Sequence, residues 1–340
     1  MKKEQKNGNE YVQISNVKDF QNQQYLSTPI KQDEIFKSED LSFNVSQFEK
    51  IIKRISKGCF PLEKVLDFNQ GIITGGNSKY ITFEENEFTK KVVTGKDFNR
   101  YRYQDSGAFI IYDIEKLHRP RKKEIFEAEE KILLRQTGAY PICMIDTKQL
   151  YTLDTVHNGL IINDDYSSKY LLCLLNSKLI RFLYENSINE SGKVFAQVKI
   201  IYIDPLPIKK ANRDTQDKFA ESANQMISIS EKFETNSGKF MKYLQSQFLI
   251  EKLPKKLQNW AELEFSEFIK ELNKAIKKIG VEKLSKMDEM EWMDVFETKK
   301  VEAQTLKSQI DTVDKEIDAM VYELYGLTDD EIAIVEGSSL

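Results

Sequence analysis

Leu306, Ile310, Val313, Ile317, Met320 and Leu324 follow one another at steps of 4, 3, 4, 3 and 4. Apolar residues at a mean spacing of 3.5 mark a helix with one continuous seam, and a seam of that length must be buried against a partner. The chain supplies one. Between Asp214 and Phe248 the residues Phe219, Ala223, Met226, Phe233, Phe240 and Leu244 keep the same register, with Ser230 and Ser237 filling the polar steps. A shorter helical segment around Leu257–Ile279 lies between them, so the simplest packing is an antiparallel bundle. Gly326 stops the last long helix, and Thr328-Asp329-Asp330-Glu331 opens a short closing helix by the capping-box pattern.

Upstream of Pro205 and Pro207 the pattern changes, because proline continues neither a central strand nor an established helix. Short β-branched and aromatic runs recur from Gly58 onward: Val65-Leu66, Ile72-Ile73, Tyr80–Phe83, Phe109–Tyr112, Lys131–Leu134, Ile142–Ile145, Leu160–Ile162 and Ile200–Ile203. Gly, Asn and Asp bound them, which predicts strands of a compact sheet or barrel. Two helices interrupt, a short one over Lys123–Glu130 and a stronger one over Ser168–Tyr184, where Leu171, Leu172, Leu174, Leu175, Leu179 and Phe182 share a side. The expected class is α+β: a compact β-rich domain followed by an antiparallel, coiled-coil-like helical domain. The expected division is residues 1–50 as an N-terminal linker or boundary segment, 51–210 as the β-rich domain and 211–340 as a helical spacer or dock. No internal repeat is evident.

Charge follows the same division. The net charge of −4 resolves into −1 over residues 1–50, +5 over 51–210 and −8 over 211–340. A basic module beside an acidic helical tail can bind a polyanion, because binding depends on the local field. No run reaches the roughly 18 apolar residues of a membrane span, and Met1–Lys6 lacks a signal-peptide core, so the expected address is the cytoplasm with no membrane partner. Cys59, Cys143 and Cys173 are far apart in apolar settings and read as reduced core thiols.

Catalytic patterns are missing. The chain has no Pro-Pro for an amino-methyltransferase loop, and Gly75-Gly76 belongs to neither a dinucleotide nor a phosphate loop. Asp113 with Glu129, Glu130 and Lys131 offers the letters of a metal-dependent nuclease, but similar letters recur at Glu297-Thr298-Lys299. His118 and His157, the only histidines, have no companion for a metal or a triad.

Three polar motifs set against the apolar runs point instead to recognition: Asn69–Asn77, Arg135–Gly138 and Gly192–Lys199. Their glycines allow close backbone approach, and their amide and guanidinium groups match base edges. Gln70 and Asn77 carry amides suited to adenine, while Thr74 and Gly75 shape the loop and Lys79 reaches phosphate; a plain hairpin turn fits the same letters. Arg135, with Gln136 and Thr137, suits guanine, or else a structural ion pair. Lys96 follows a glycine in Thr94–Phe98. Arg100 and Arg102 alternate with Tyr101 and Tyr103, as on a strand that tracks a phosphate backbone or lies at an exposed sheet edge. Lys193, Gln197 and Lys199 share the polar face of an expected strand.

In order and spacing these motifs resemble the TaqI-like C-terminal target-recognition domain of type II and fused (IIG) restriction–modification adenine-N6 DNA methyltransferases. The resemblance runs from about Lys57 to Glu336, through Asn69–Gly75, Thr94–Phe98, Leu134–Gly138, Tyr151–His157, Tyr170–Ser177, Gly192–Lys199 and Ile317–Thr328. It implies sequence-specific contact with double-stranded DNA. It also implies a methyltransferase or endonuclease domain or subunit as partner, using S-adenosylmethionine and, for a nuclease, Mg2+. No cofactor is expected in this chain. The alternatives are a protein-interaction scaffold of a DNA-defence complex and a cryptic metal-dependent nuclease.

Overall fold

The computed structural model describes residues 11–19, 24–31, 48–187 and 197–337. It is an α+β protein in which a β-rich part precedes long helices. Strands β1 (Tyr11–Asp19) and β2 (Gln24–Lys31) form an antiparallel hairpin within the segment expected to be a linker. Their polar composition hides the alternation that would have announced them.

The β-rich part is built on two four-stranded sheets. In the first, β10 (Lys131–Arg135) lies between β11 (Cys143–Asp146) and β13 (Val156–Ile161), and β13 also pairs with β4 (Leu66–Gln70), all antiparallel. Helices cover one face of this sheet and the second sheet the other, so residues of both pleats are buried: Ile132 and Leu134 enter the core shared with the helices, Leu133 and Val156 a core between the sheets. That explains a continuous apolar run in place of alternation. The second sheet orders β12 (Tyr151–Thr152), β6 (Thr89–Val93), β9 (Phe109–Ile111) and β5 (Ile81–Thr82), with β12 parallel to β6. A small hairpin of β7 (Phe98–Asn99) and β8 (Arg102–Tyr103) and a pairing of β3 (Cys59–Pro61) with β14 (Pro207–Lys209) complete it.

Several local expectations are corrected. Ile200–Ile203, expected as a strand, is one turn of helix, with Ile203 buried and Ile201 exposed. Four apolar residues are too few for periodicity to choose between the two states. Tyr80 closes a short helix, Asn77–Tyr80, and Ile72 and Ile73 make only isolated bridges. The short interrupting helix covers only Lys123–Phe126. The helix expected over Ser168–Tyr184 is two, Ser168–Asn176 and Lys178–Ser187. Ser177 between them is extended; its hydroxyl donates to the Leu174 carbonyl (2.7 Å) and accepts from the Ile180 amide (3.2 Å), closing one helix and opening the next.

After the short helix α1 (Glu49–Ile55) and those just given (α2 to α6 in chain order), the helical part begins with α7 (Arg213–Phe248), capped by Asn212. It continues through α8 (Lys255–Gln258), α9 (Phe265–Lys278) and α10 (Lys286–Tyr325), which a Ser285–Asp288 capping box starts and left-handed Gly326 ends. The closing helix α11 (Asp329–Val335) carries the expected Thr328–Glu331 box. Helices α7 and α10 run antiparallel: Ser222 meets Met320 at 3.7 Å, while Phe240 and Leu244 share a core with Phe296 and Ala303. On α10, Val313 and Ile317 are buried, but burial continues at Val321 and Tyr325. The seam broadens there because α10 also packs on the Lys178–Ser187 helix and on the core beneath the first sheet.

Candidate nucleic-acid interface

Strand directions bring six separate segments to one end of the two sheets. Strand β4 ends there at Gln70, which pairs with His157 at the start of β13; β10 ends there at Arg135, opposite Val156. The turn after β6, Thr94–Asp97, joins them through the Gly95 amide, which donates to Thr155 Oγ1 (3.0 Å). Gln136 donates its amide to the Thr155 carbonyl (2.9 Å) and accepts from Val198 (2.7 Å), and Thr137 bridges Gln197. Arg119 pairs with Ile73 through both backbone groups (2.9 and 3.1 Å), attaching residues 118–123 beside the Gln70–Thr74 strand end. We call this the reading end.

Close approach explains its glycines. A Cβ on Gly71 would lie 2.2 Å from the Leu153 carbonyl oxygen, and one on Gly95 would crowd Thr155, Arg135 and Thr137 at 3.0–3.1 Å. Gly75 has φ +82°, a left-handed position suited to glycine. Next to it, Thr74 is buried; its hydroxyl donates to Asn77 Oδ1 (2.6 Å) and accepts from the Gly76 amide (3.0 Å), holding exposed Asn77 and Lys79 on a fixed turn.

The side chains expected to read DNA divide into two groups. Gln70, Thr74, Gly75, Asn77, Lys79, Lys96, Arg135, Gln136, Thr137, Gln197 and Lys199 lie at or beside the reading end, and Lys193 lies outside the described residues. Arg135 donates to the Thr137 carbonyl (2.6 Å) and to Asn99 Oδ1 (3.3 Å), and among the described residues no carboxylate pairs with it. Arg100 and Arg102 go elsewhere. On the β7–β8 hairpin Arg100 makes a bidentate ion pair with Asp314 of α10, and Arg102 pairs with Glu234 of α7 at 2.9 Å. Both guanidiniums bind the helices to the β-rich part.

A further set of cations was not singled out from sequence: Arg119, Arg121, Lys122 and Lys123. Four cations in five residues were the available signal. Arg119, Lys122 and Lys123 are exposed, while Arg121 is partly buried against Gln70. At this end the Asp97 carboxylate is occupied by the amide and hydroxyl of Thr94 (2.7 and 2.8 Å). The opposite strand ends carry Glu84, Glu85 and Glu87 before β6, Glu129 and Glu130 before β10, and Asp164 and Asp165 after β13. Cations thus outnumber carboxylates where the segments converge, half-buried Asp154 and exposed Glu124 being among the acidic residues there, and the excess positive charge would orient a polyanion toward the reading end.

His157 lies beneath this surface. Its two ring nitrogens are buried without a hydrogen-bond partner. Burial, with a smaller contribution from the Arg121 charge, pulls its pKa down to about 4, so the imidazole is neutral at pH 7. The letters of a nuclease are not assembled. Lys131 is fully buried against Asp146 and the Phe126 carbonyl, Asp113 pairs with Lys116, and Glu130 accepts from Ser168. Among the described residues no group of three or more His, Cys, Asp or Glu is placed to hold a metal ion.

Residues 90–208 match the family model described as the TaqI-like C-terminal specificity domain. That segment is thus similar to a TaqI-like C-terminal specificity domain. It contains Lys96, the Arg119–Lys123 cations, Arg135–Thr137, Lys193, Gln197 and Lys199, while Gln70–Lys79 precede it. Residues 212–321, from α7 into α10, match a model described as a domain of unknown function (DUF8810). No curated protein matches the chain. Among solved structures it is similar to the Type IIL restriction-modification enzyme MmeI in complex with DNA, at 12% identity and a TM-score of 0.39 over 73% of this chain. The chain spans 36% of the length of that protein. Along the chain, the segment matched by that family model is followed by the long helices α7 and α10. No described helix is long and apolar enough to cross a membrane.

Proposed function

We propose that the chain is the specificity module of a restriction–modification system, whose reading end binds a short sequence of duplex DNA. The observation that carries this is the convergence of amides, guanidiniums and lysines from six segments at one end of the sheets, where cations outnumber carboxylates. Cations there neutralise phosphates and release counterions, and fixed amide and guanidinium groups discriminate base edges. The family of residues 90–208 supports the same reading.

In this proposal the β-rich part, residues 51–210, reads, and the helical part, residues 211–340, spaces or docks a catalytic unit. That unit methylates adenine N6 with S-adenosylmethionine, and a Mg2+-dependent nuclease completes the system where one is attached. A scaffold reading has one observation in its favour: the start of α10 exposes Met287, Met290 and Met293, apolar side chains suited to a protein partner. Selection from a random duplex pool separates the two. The specificity module enriches one short sequence with an affinity that falls steeply as salt rises; the scaffold enriches none.

A further inference from the structure

Arg121 has the geometry of a base reader. Its backbone is left-handed, φ +65°, a conformation non-glycine residues seldom adopt and that persists where surrounding contacts impose it. Here the Tyr112 hydroxyl donates to the Arg121 carbonyl at 2.6 Å. The side chain is held as firmly: Nη2 donates to Gln70 Oε1 at 3.1 Å, and Nε lies 3.4 Å from the Gly71 carbonyl. Gln70 is itself fixed, since its Nε2 donates to the Asp154 carbonyl at 3.3 Å.

The Nε and Nη2 protons on one edge of the guanidinium are thus turned inward. The protons on the other edge, shared by Nη1 and the second hydrogen of Nη2, take no partner among the described residues. That edge is a complete fork, the one that matches O6 and N7 of guanine in the major groove. Arg135 differs, because its two hydrogen bonds come from Nε and Nη1, so one nitrogen of its Nη1/Nη2 fork is already engaged. Among the described residues no carboxylate bonds to Arg121, and the neighbouring His157 is uncharged at neutral pH.

We infer that Arg121, oriented by Gln70, reads one guanine of the target duplex through the Nη1/Nη2 fork, while Arg119, Lys122 and Lys123 around it contact phosphates. This rests on the proposed function, and it makes Gln70 a positioning residue for Arg121 in place of an adenine reader.

The test uses the whole chain and the duplex it enriches from a random pool, with a panel carrying each single-base change and each guanine replaced by 7-deazaguanine. One guanine should lose roughly 10- to 100-fold in affinity on either change. Arg121→Ala should abolish that discrimination, bind all variants at that position alike and show no further loss with 7-deazaguanine. Gln70→Ala, which removes no charge, should relax the same position and no other; it carries the test if Arg121→Ala fails to fold. Equal weakening of every duplex by Arg121→Ala would make it a phosphate contact and overturn the inference, as would unchanged discrimination in both variants. If the wild-type chain enriches no sequence, the proposed function itself falls, which is a different outcome.

Discussion

Gly71→Ala tests whether the reading end depends on close backbone approach. The new methyl would sit 2.2 Å from the Leu153 oxygen, 2.6 Å from its carbonyl carbon and 2.6 Å from Thr152 Oγ1. Two of these atoms are backbone, so no side chain can swing away. Relief requires the Gly71–Ile73 segment and the Leu153–Thr155 turn to part by about an ångström. The hydrogen bonds from Ile72 to the Thr152 carbonyl (2.8 Å) and from Asp154 to the Ile72 carbonyl (3.0 Å) then break. Overpacking of this kind costs about 1–3 kcal/mol, and two buried hydrogen bonds add about 1 kcal/mol each. The expected loss is about 3–5 kcal/mol, measured as the change in urea midpoint at unchanged slope. Because the Asp154 carbonyl also anchors Gln70, duplex discrimination should fall even where the variant is folded. A variant within about 0.5 kcal/mol of wild type, with discrimination intact, would refute the close-approach reasoning.

Three further outcomes are expected. Lys122→Ala and Lys123→Ala should each weaken all duplexes alike and lower the slope of log affinity against log salt by about one, measured by fluorescence anisotropy. A double-mutant cycle on Arg100 and Asp314, whose side chains are partly exposed (33% and 24%), should give a coupling of about 1–2 kcal/mol in unfolding and none in DNA affinity. His157 is neutral in the folded chain with its pKa near 4, while the unfolded imidazole takes a proton near 6.5, so its contribution is intact above pH 6.5 and lost as pH falls toward 4. The loss is about 3 kcal/mol, and His157→Leu should flatten the stability profile over that window in pH-dependent urea unfolding.

Sequence alone exposed the parts of this fold that have local signatures. The α10 seam, the α11 capping box and the Ser230 and Ser237 positions within the α7 register are all visible in residue spacing. Arg135–Thr137 and Gln197 are legible as polar residues beside an apolar run, and the structure brings them together through the Thr137–Gln197 bridge. What escaped was long-range. Arg100 finds its carboxylate 214 residues away, so its sequence neighbours, two tyrosines and an arginine, gave no hint of an ion pair. Arg121 gains its orientation from Gln70, 51 residues earlier, and only the strand order makes the two adjacent. Ile200–Ile203 failed for a different reason, since a four-residue apolar run carries no period.

Amide hydrogen exchange of the whole chain, with and without its enriched duplex, tests the central claim most directly. DNA should slow exchange at the strand end and loop of residues 70–79, the turn 94–97, the loop 118–123 and residues 135–138, and leave the middle of α7 and α10 unchanged. Slowing confined to the helices, with the reading end unaffected, would contradict it.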